Sequence, residues 1–568
     1  MALLSLAGCR SKADKRPDLI LILVDTLRAD HLHAYGYPRE TSPALDALAA
    51  RGVLFEQAIS AAPWTLPSSM SILTGRLPSH HRLENDGLKL SAGIPTLPEV
   101  LRGSGYATAA VVSHIYVGRP FGFDRGFDRF EDFGLSQGYR FEASLEPHAS
   151  AVTDAALRLA QEAGDKPLFL LAHYFDPHWD YDPPAPYAER FATPYSGSIS
   201  GKYSSFSEYA RPDKDLSEAD LQHLRDLYDG EIAYTDAEIG RLLDSLERVR
   251  GNRARVVTLV ADHGEEFKEH RSLGHGRNLY DEVVRVPLIV ADSRAAQPRK
   301  IGAQVSSVDL MPTLCVLAEV PPPRGVDGTS LAPLLAGQSA PARAAVSETI
   351  RFDAYRKSYR LPDAKLIVSL ENNGRELYSL AQDPGEQTNL WARQGEQALA
   401  LERALFDKVE VLPGGWSVRW SSDGKPHRFS GSLETDGQIT GVVPLFPQVG
   451  RHRVTRGKRI DFDLEGVDSG GGLSFSVEPP DARVGFALAV DGKEDSAMVF
   501  AGSSRLHPPQ SPFSFAGPPP RDLTLRPEFH TGKEIGFFLW RTPGASPEEA
   551  AELTEAARER LRSLGYVR

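Results

Sequence analysis

DLILILVDTLRAD, residues 18 to 30, is the stretch on which the fold turns. From Leu19 to Val24 every side chain is aliphatic, with no polar residue at alternate positions, and the run stops at Asp25. A strand with one wet face alternates, whereas an unbroken aliphatic run belongs to a strand covered on both faces, as in a parallel sheet. Two later stretches repeat the pattern. KPLFLLAHYFDPH (166–178) runs into Asp176 and His178, and ARVVTLVADHGEE (254–266) runs into Asp262-His263. Between them SPALDALAARGVLF (42–55) predicts an amphipathic helix with Gly52 as its C-terminal cap. TLPEVLRGSGYATAAVVS (96–113) predicts a helix, a glycine turn and a strand. Strands alternating with helices imply an α/β fold with a mostly parallel sheet flanked by helices. In such sheets the chemistry collects outside the carboxyl ends of the strands, where these three polar clusters fall.

A chain of 568 residues exceeds one ordinary core, so two or three domains are expected. The net charge of −12 argues against a nucleic-acid binder, which needs a basic surface to neutralise phosphates. Two cysteines, Cys9 and Cys315, leave no disulfide framework and no cysteine-rich zinc module. No run of eighteen apolar residues occurs. Texture divides the chain into a leader and linker (1–16), a core (17–345), a smaller sheet subdomain (346–410), a Gly- and Pro-dense β-rich accessory module (411–545) and a C-terminal helix (546–568). Helices are predicted over 216–250 and 396–410. The leader carries Leu6-Ala7-Gly8-Cys9, which resembles a bacterial lipobox. That resemblance implies a lipidated Cys9 as the membrane attachment and a place in the bacterial cell envelope or periplasm, although the segment is short and lacks a basic start.

Carboxylates and an imidazole at strand ends, Asp25 and Asp262-His263, suit a divalent cation. An Asp after a strand also caps the next helix, but adjacent Asp-His followed by Gly264 is less easily read as a cap. The stretch APWTLPSSMSILTGRLPSHH (62–81) opens a helix at Thr65, with Pro67 in the first turn where its missing N–H costs nothing.

The ordered set LILVDTLRADHLHAYGY, SPALDALAARGVLFEQAISAAP, PSSMSILTGRLPSHH, HYFDPHWDYDPP, DHGEEFKEH and GHGRNLYDEVVRVPLIV resembles the sulfatase family of the alkaline phosphatase superfamily. SSVDLMPTLCVLAEV, GVDGTSLAPLL, ELYSLAQDPGEQTNL and the terminal ERLRSLGYV extend the likeness, which covers roughly 17–410 and the last helix. It implies hydrolysis of a sulfate or phosphate ester at a metal site on an alkaline-phosphatase-like core.

The departures from the family are informative. Where sulfatases carry a C/S-x-P-x-R motif whose first residue becomes formylglycine, this chain has Thr65-Leu66-Pro67-Ser68-Ser69, so no formylglycine is expected. Where they carry Asp-Asp and Asp-Asn pairs for calcium, it has Asp25-Thr26 and Asp262-His263, which shifts preference towards Zn²⁺ or Mn²⁺. Asp25, Thr65, Asp262 and His263 match the metal set of relatives with a metal-bound Thr nucleophile, namely nucleotide pyrophosphatases, phosphoethanolamine transferases and lipoteichoic acid synthases. By the same likeness His178 is a candidate acid for the leaving group and His275 stands where sulfatases carry a substrate-binding Lys or His. His114 and Arg277 are candidate substrate contacts, and Asp176 with His178 and His275 is a candidate second metal site. His173 is left unassigned between strand and site.

These readings favour a covalent Thr intermediate, with phosphoester hydrolysis or transfer ahead of sulfate. The alternative is a catalytically silent homologue that binds an anionic glycan. SETIRFDAYRKSYRLPD (347–363) is expected to be a surface strand. RHRVTRGKR (451–459) is expected to be a solvated edge, with a glycan or lipid headgroup as the anion it would attract.

Overall fold

The computed structural model describes residues 14–135, 148–295, 298–352, 355–370, 374–410, 415–444, 452–467, 471–493, 498–501, 504–506, 513–515, 535–541 and 550–563. The leader, with Cys9, lies outside them, as does Arg451 of the basic run. The chain divides into two compact units.

The first unit runs through His81, resumes over Lys89–Ser347 and takes in the C-terminal segment from Ala551. Its core is a mostly parallel nine-stranded sheet. β1 (Asp18–Val24) has all seven residues buried. Four further strands are β2 (Val53–Ile59), β3 (Ala107–Val111), β4 (Arg129–Glu131) and β5 (Leu168–Tyr174), and β6 is Arg255–Ala261. The order is Arg299–Ile301, β2, Arg285–Asp292, β6, β1, β5, β3, β4, with Val305–Ser306 also on β2. β1 pairs in parallel with β5 on one side and β6 on the other, Val24 facing Tyr174 and Ala261. This register is the reason three polar strand ends become neighbours. Arg285–Asp292 runs antiparallel to both β2 and β6.

Helix α1 (Pro43–Ala49) stops before Gly52, which is not its cap. A Cβ at Gly52 would lie 2.7 Å from the Val290 carbonyl, so glycine there serves close approach of the chain to the sheet. The predicted long helix is Glu218–Arg250, begun by Ser217, whose hydroxyl accepts from the Asp220 amide. The last helix, Glu555–Ser563, is shorter than its charged sequence suggested, because 551–554 are not helical.

The second unit comprises Arg82–Leu88 and Glu348–Ala550. The strands Arg356–Arg360, Ala364–Ser369 and Arg375–Ser379 form an antiparallel set with Ala345–Glu348 at its edge, and the helix Gly395–Phe406 follows. The expected surface strand in 347–363 is internal. Lys357 is fully buried and ion-paired with Glu348, so its charged side chains face partners where the sequence suggested water. Beyond it, a six-stranded and a five-stranded sheet pack over one apolar core that includes Trp416, Trp420, Phe429, Phe462, Phe486 and Phe537. His452–Thr455 is an edge strand of the five-stranded sheet, with Arg453 and Arg456 exposed.

Candidate active site

Asp25 follows the last residue of β1 and is fully buried, its amide donating to the Tyr174 carbonyl of β5. The next residue, Thr26, adopts a left-handed φ of 54°, which turns the chain sharply off the strand. Asp262 and His263 follow β6 and are also fully buried. Thr65 is the first residue of helix α2 (Thr65–Thr74), all ten residues of which are buried. The loop that delivers it is pinned from several sides. The Ser60 hydroxyl donates to the Asp262 carbonyl, the Ala61 amide to Ser307 Oγ, and the Gly276 amide to the Pro63 carbonyl. The helix therefore aims its amino end, with its partial positive charge, at the carboxylates.

Four groups meet at this point. Thr65 Oγ1 lies 3.3 Å from Asp25 Oδ2 and 3.4 Å from His263 Nε2. His263 Nε2 is 3.4 Å from Asp25 Oδ1 and 3.5 Å from Asp262 Oδ2. His263 Nδ1 is 2.9 Å from the Gly264 carbonyl, a partner that can only accept, so in the neutral ring Nδ1 holds the proton and Nε2 presents a lone pair. A lone pair thus faces two carboxylates. Asp25 Oδ1 and Asp262 Oδ2 are buried with no hydrogen-bond partner. Converging acceptors without a donor are what a cation resolves. Among the described residues, Asp25, Asp262 and His263 are the group whose ligand atoms all lie within 4.8 Å of one another. Protons are the other remedy. Burial pushes Asp25 up to about 7, and burial with the nearby Asp25 charge pushes Asp262 up to about 7.

Beneath this cluster His173 is fully buried, its Nε2 3.6 Å from Asp25 Oδ2 and its Nδ1 accepting from the Ser113 amide. Burial holds it down at about 4, so it is a neutral prop behind Asp25. Its sequence signal was only a histidine inside an apolar strand.

On the other side of His263 stands a row of imidazoles. The His263 and His275 ring centroids are 4.4 Å apart, His275 and His178 4.9 Å, and His178 and His114 6.1 Å. His178 Nδ1 meets the Trp179 carbonyl, which directs Nε2 to the far edge of the ring. His114 accepts from the Tyr116 amide and stacks on Phe175, with centroids 4.6 Å apart. Arg277, half-buried, lies close enough to help hold His275 far below the ordinary histidine range, behind the larger effects of burial and of His263 and His178.

Asp176 does not join the row. Its carboxylate accepts from the Ala149 amide at the start of the helix Ala149–Glu162, and Glu231 sits close enough that the two charges oppose each other. The candidate second metal set therefore lacks its carboxylate, because the strand-end Asp here performs the ordinary task of a helix cap. Glu265, which the sequence reading missed, is fully buried beside His275. DHGEE offers two adjacent glutamates, and only the fold separates them, since Glu266 turns instead to the amides of His270 and Ser272.

Residues 17–320 match the Sulfatase family, more than half of the chain. The chain belongs to the sulfatase family of the alkaline phosphatase superfamily. It is by that membership an ester hydrolase of the sulfuric-ester class. Residues 269–411 also match the C-terminal region of N-sulphoglucosamine sulphohydrolase. Among relatives, the Δ4,5-hexuronate-2-O-sulfatase of Bacteroides thetaiotaomicron is 25% identical over 459 residues, covering 71% of this chain and 91% of that protein. A solved structure described as bound to its substrate, D-glucosamine-2-N,6-O-disulfate, is 21% identical with a TM-score of 0.59, covering 69% of this chain and 97% of that one. The phosphonate monoester hydrolase of Agrobacterium radiobacter is 22% identical with a TM-score of 0.57, covering 69% and 95%. The two structures share the fold.

Proposed function

We propose that this sulfatase-family member is a metal-dependent hydrolase of anionic esters that works through Thr65, and that phosphate esters suit its residues better than sulfate esters. The observation that carries the reading is the convergence of Asp25, Asp262 and His263 on the Thr65 hydroxyl, with Asp25 Oδ1 and Asp262 Oδ2 buried and without hydrogen-bond partners. Asp25, Asp262, His263 and Thr65 would hold the cation, and two carboxylates with an imidazole favour Zn²⁺ or Mn²⁺ over Ca²⁺. The cation supplies acidity to the Thr65 hydroxyl and charge neutralisation to the ester oxygens.

Thr65 Oγ attacks phosphorus or sulfur as its proton passes to Asp25 Oδ2, the carboxylate oxygen it faces, and the bond to the leaving oxygen breaks with that oxygen taking a proton from His178. His114, His275 and Arg277 are the candidate contacts for the transferred group, the two histidines standing in the row of rings with His178, and the amino end of α2 adds its dipole. Water or an acceptor alcohol then displaces Thr65 from the covalent ester. A formylglycine diol has a second hydroxyl with which to expel sulfate, and Thr65 has none. Release of a Thr sulfate ester needs attack of water at sulfur, whereas phosphothreonine is resolved by the same in-line displacement that made it. The sulfated-uronate relative supports an anionic glycan as the carrier of the ester. The lipobox-like Leu6-Ala7-Gly8-Cys9 supports a lipoprotein of the cell envelope.

A panel of aryl sulfate, phosphate monoester, phosphodiester and phosphonate esters with Mn²⁺, Zn²⁺ or Ca²⁺ tests the reading. Thr65→Ala is expected to lose about 10³-fold or more in kcat, while Thr65→Ser keeps a measurable rate. A dominant sulfatase rate that survives Thr65→Ala overturns both the preference and the nucleophile.

A further inference from the structure

Glu265 has no part in the steps above, yet it is built into the site as firmly as the groups that do. Its side chain is fully buried, with Oε1 3.0 Å from His275 Nδ1 and Oε2 accepting from the Tyr181 hydroxyl at 3.1 Å. Both carboxylate oxygens are thereby committed, one to a ring that faces the reaction and one to a tyrosine that is itself buried. The His275 ring is clamped from its face as well. Trp179 stacks on it with centroids 4.3 Å apart and planes 14° apart. Gly274 has φ of +97°, and a Cβ there would lie 2.6 Å from the Trp179 ring, so glycine is what lets the indole lie flat against this turn. On the Glu265 side, a Cβ at Gly264 would meet the Glu282 carbonyl at 2.2 Å, which fixes where Glu265 leaves the backbone.

We propose that Glu265 is a positioning residue that acts through His275, orienting its ring so that Nδ1 is held against the carboxyl group and Nε2 is presented to the ester over Thr65. An imidazole can flip about its Cβ–Cγ bond, which swaps Nδ1 with Cδ2 and Nε2 with Cε1, and stacking on Trp179 alone does not oppose that flip. The hydrogen bond to Glu265 does, because only Nδ1 reaches Oε1. The inference rests on the proposed role of His275 at the transferred group, but the geometry it invokes is tested without turnover.

The test uses the full chain loaded with Mn²⁺ or Zn²⁺ for kinetics, and ¹⁵N-histidine-labelled, Zn²⁺-loaded protein for long-range ¹H–¹⁵N correlation spectra, with His275→Asn identifying the signal. Wild type and Glu265→Gln are expected to give one locked His275 ring with a distinct Nδ1 signal, and Glu265→Leu to lose that signature. On any ester the wild type cleaves, Glu265→Leu is expected to lower kcat about 10- to 100-fold with a smaller change in KM, and to add nothing in the His275→Asn background. Tyr181→Phe, which removes only the second bond to Glu265, is expected to give a milder loss in the same direction should Glu265→Leu fail to fold. Ring signals unchanged in Glu265→Leu overturn the proposal. So does an equal kcat loss with His275 already removed. A wild type inactive on every ester, with the ring signature intact, overturns the reading of the reaction and leaves the positioning geometry standing.

Discussion

Asp25 and Asp262 decide how the site responds to protons. Their folded pKa values, each about 7, stand above the unfolded carboxylate value of 3.8, so the cation-free fold binds more protons than the unfolded chain between those limits. Stability from these two groups is fully present below about 4 and is lost as pH rises through about 7. His173, held at about 4, stays neutral in the fold across pH 6 to 8. A bound cation takes the place of the protons on the carboxylates. The gain in Tm on adding Mn²⁺ is therefore expected to grow from pH 6 to pH 8, and to grow less steeply in Asp262→Asn, where Asp25 alone remains. Differential scanning fluorimetry reads this directly, and a gain independent of pH would remove the carboxylates as ligands.

At the scale of elements, the turn after β6 carries the tightest steric constraint on the site. Gly264 donates its amide to the Val283 carbonyl, and an added Cβ would strike the neighbouring Glu282 carbonyl. Gly264→Ala must push this turn away and with it Asp262, His263 and Glu265. A loss of about 1–3 kcal/mol in stability is expected, with cation affinity falling about 10-fold or more. Gly103→Ala, where a Cβ meets nothing within 4 Å, is the control and is expected to be close to neutral. Urea denaturation and calorimetric titration with Mn²⁺ separate the two effects, and unchanged affinity in Gly264→Ala would count against a site held by this turn.

For the molecule as a whole, the proposed lipid attachment is tested in cells. Labelled palmitate is expected to enter the wild-type chain and not Cys9→Ser, which should leave the membrane fraction, and label retained in Cys9→Ser would end the lipoprotein reading. The second unit has its own core, in which Trp416, Trp420, Phe429 and Phe537 lie between two sheets. Its β-rich character was legible in the sequence from strand-like runs separated by Gly- and Pro-dense turns. The internal strand at 356–360 was not, because Lys357 reads as surface until its buried partner Glu348 is known.

The sequence by itself determined the sheet, since unbroken aliphatic runs bounded by turns suit strands covered on both faces, and it placed Asp25, Asp262, His263 and Thr65 where those runs stop and a helix begins. Only the tertiary structure decided which polar residues share one point in space. The parallel register of β1 with β5 and β6 brings residues more than two hundred positions apart into contact. It also sends Asp176 to cap a helix, and seats Glu265 rather than Glu266 behind His275. Those outcomes depend on the direction of single side chains, which is set by packing against partners distant in the chain and leaves no local trace in the order of residues.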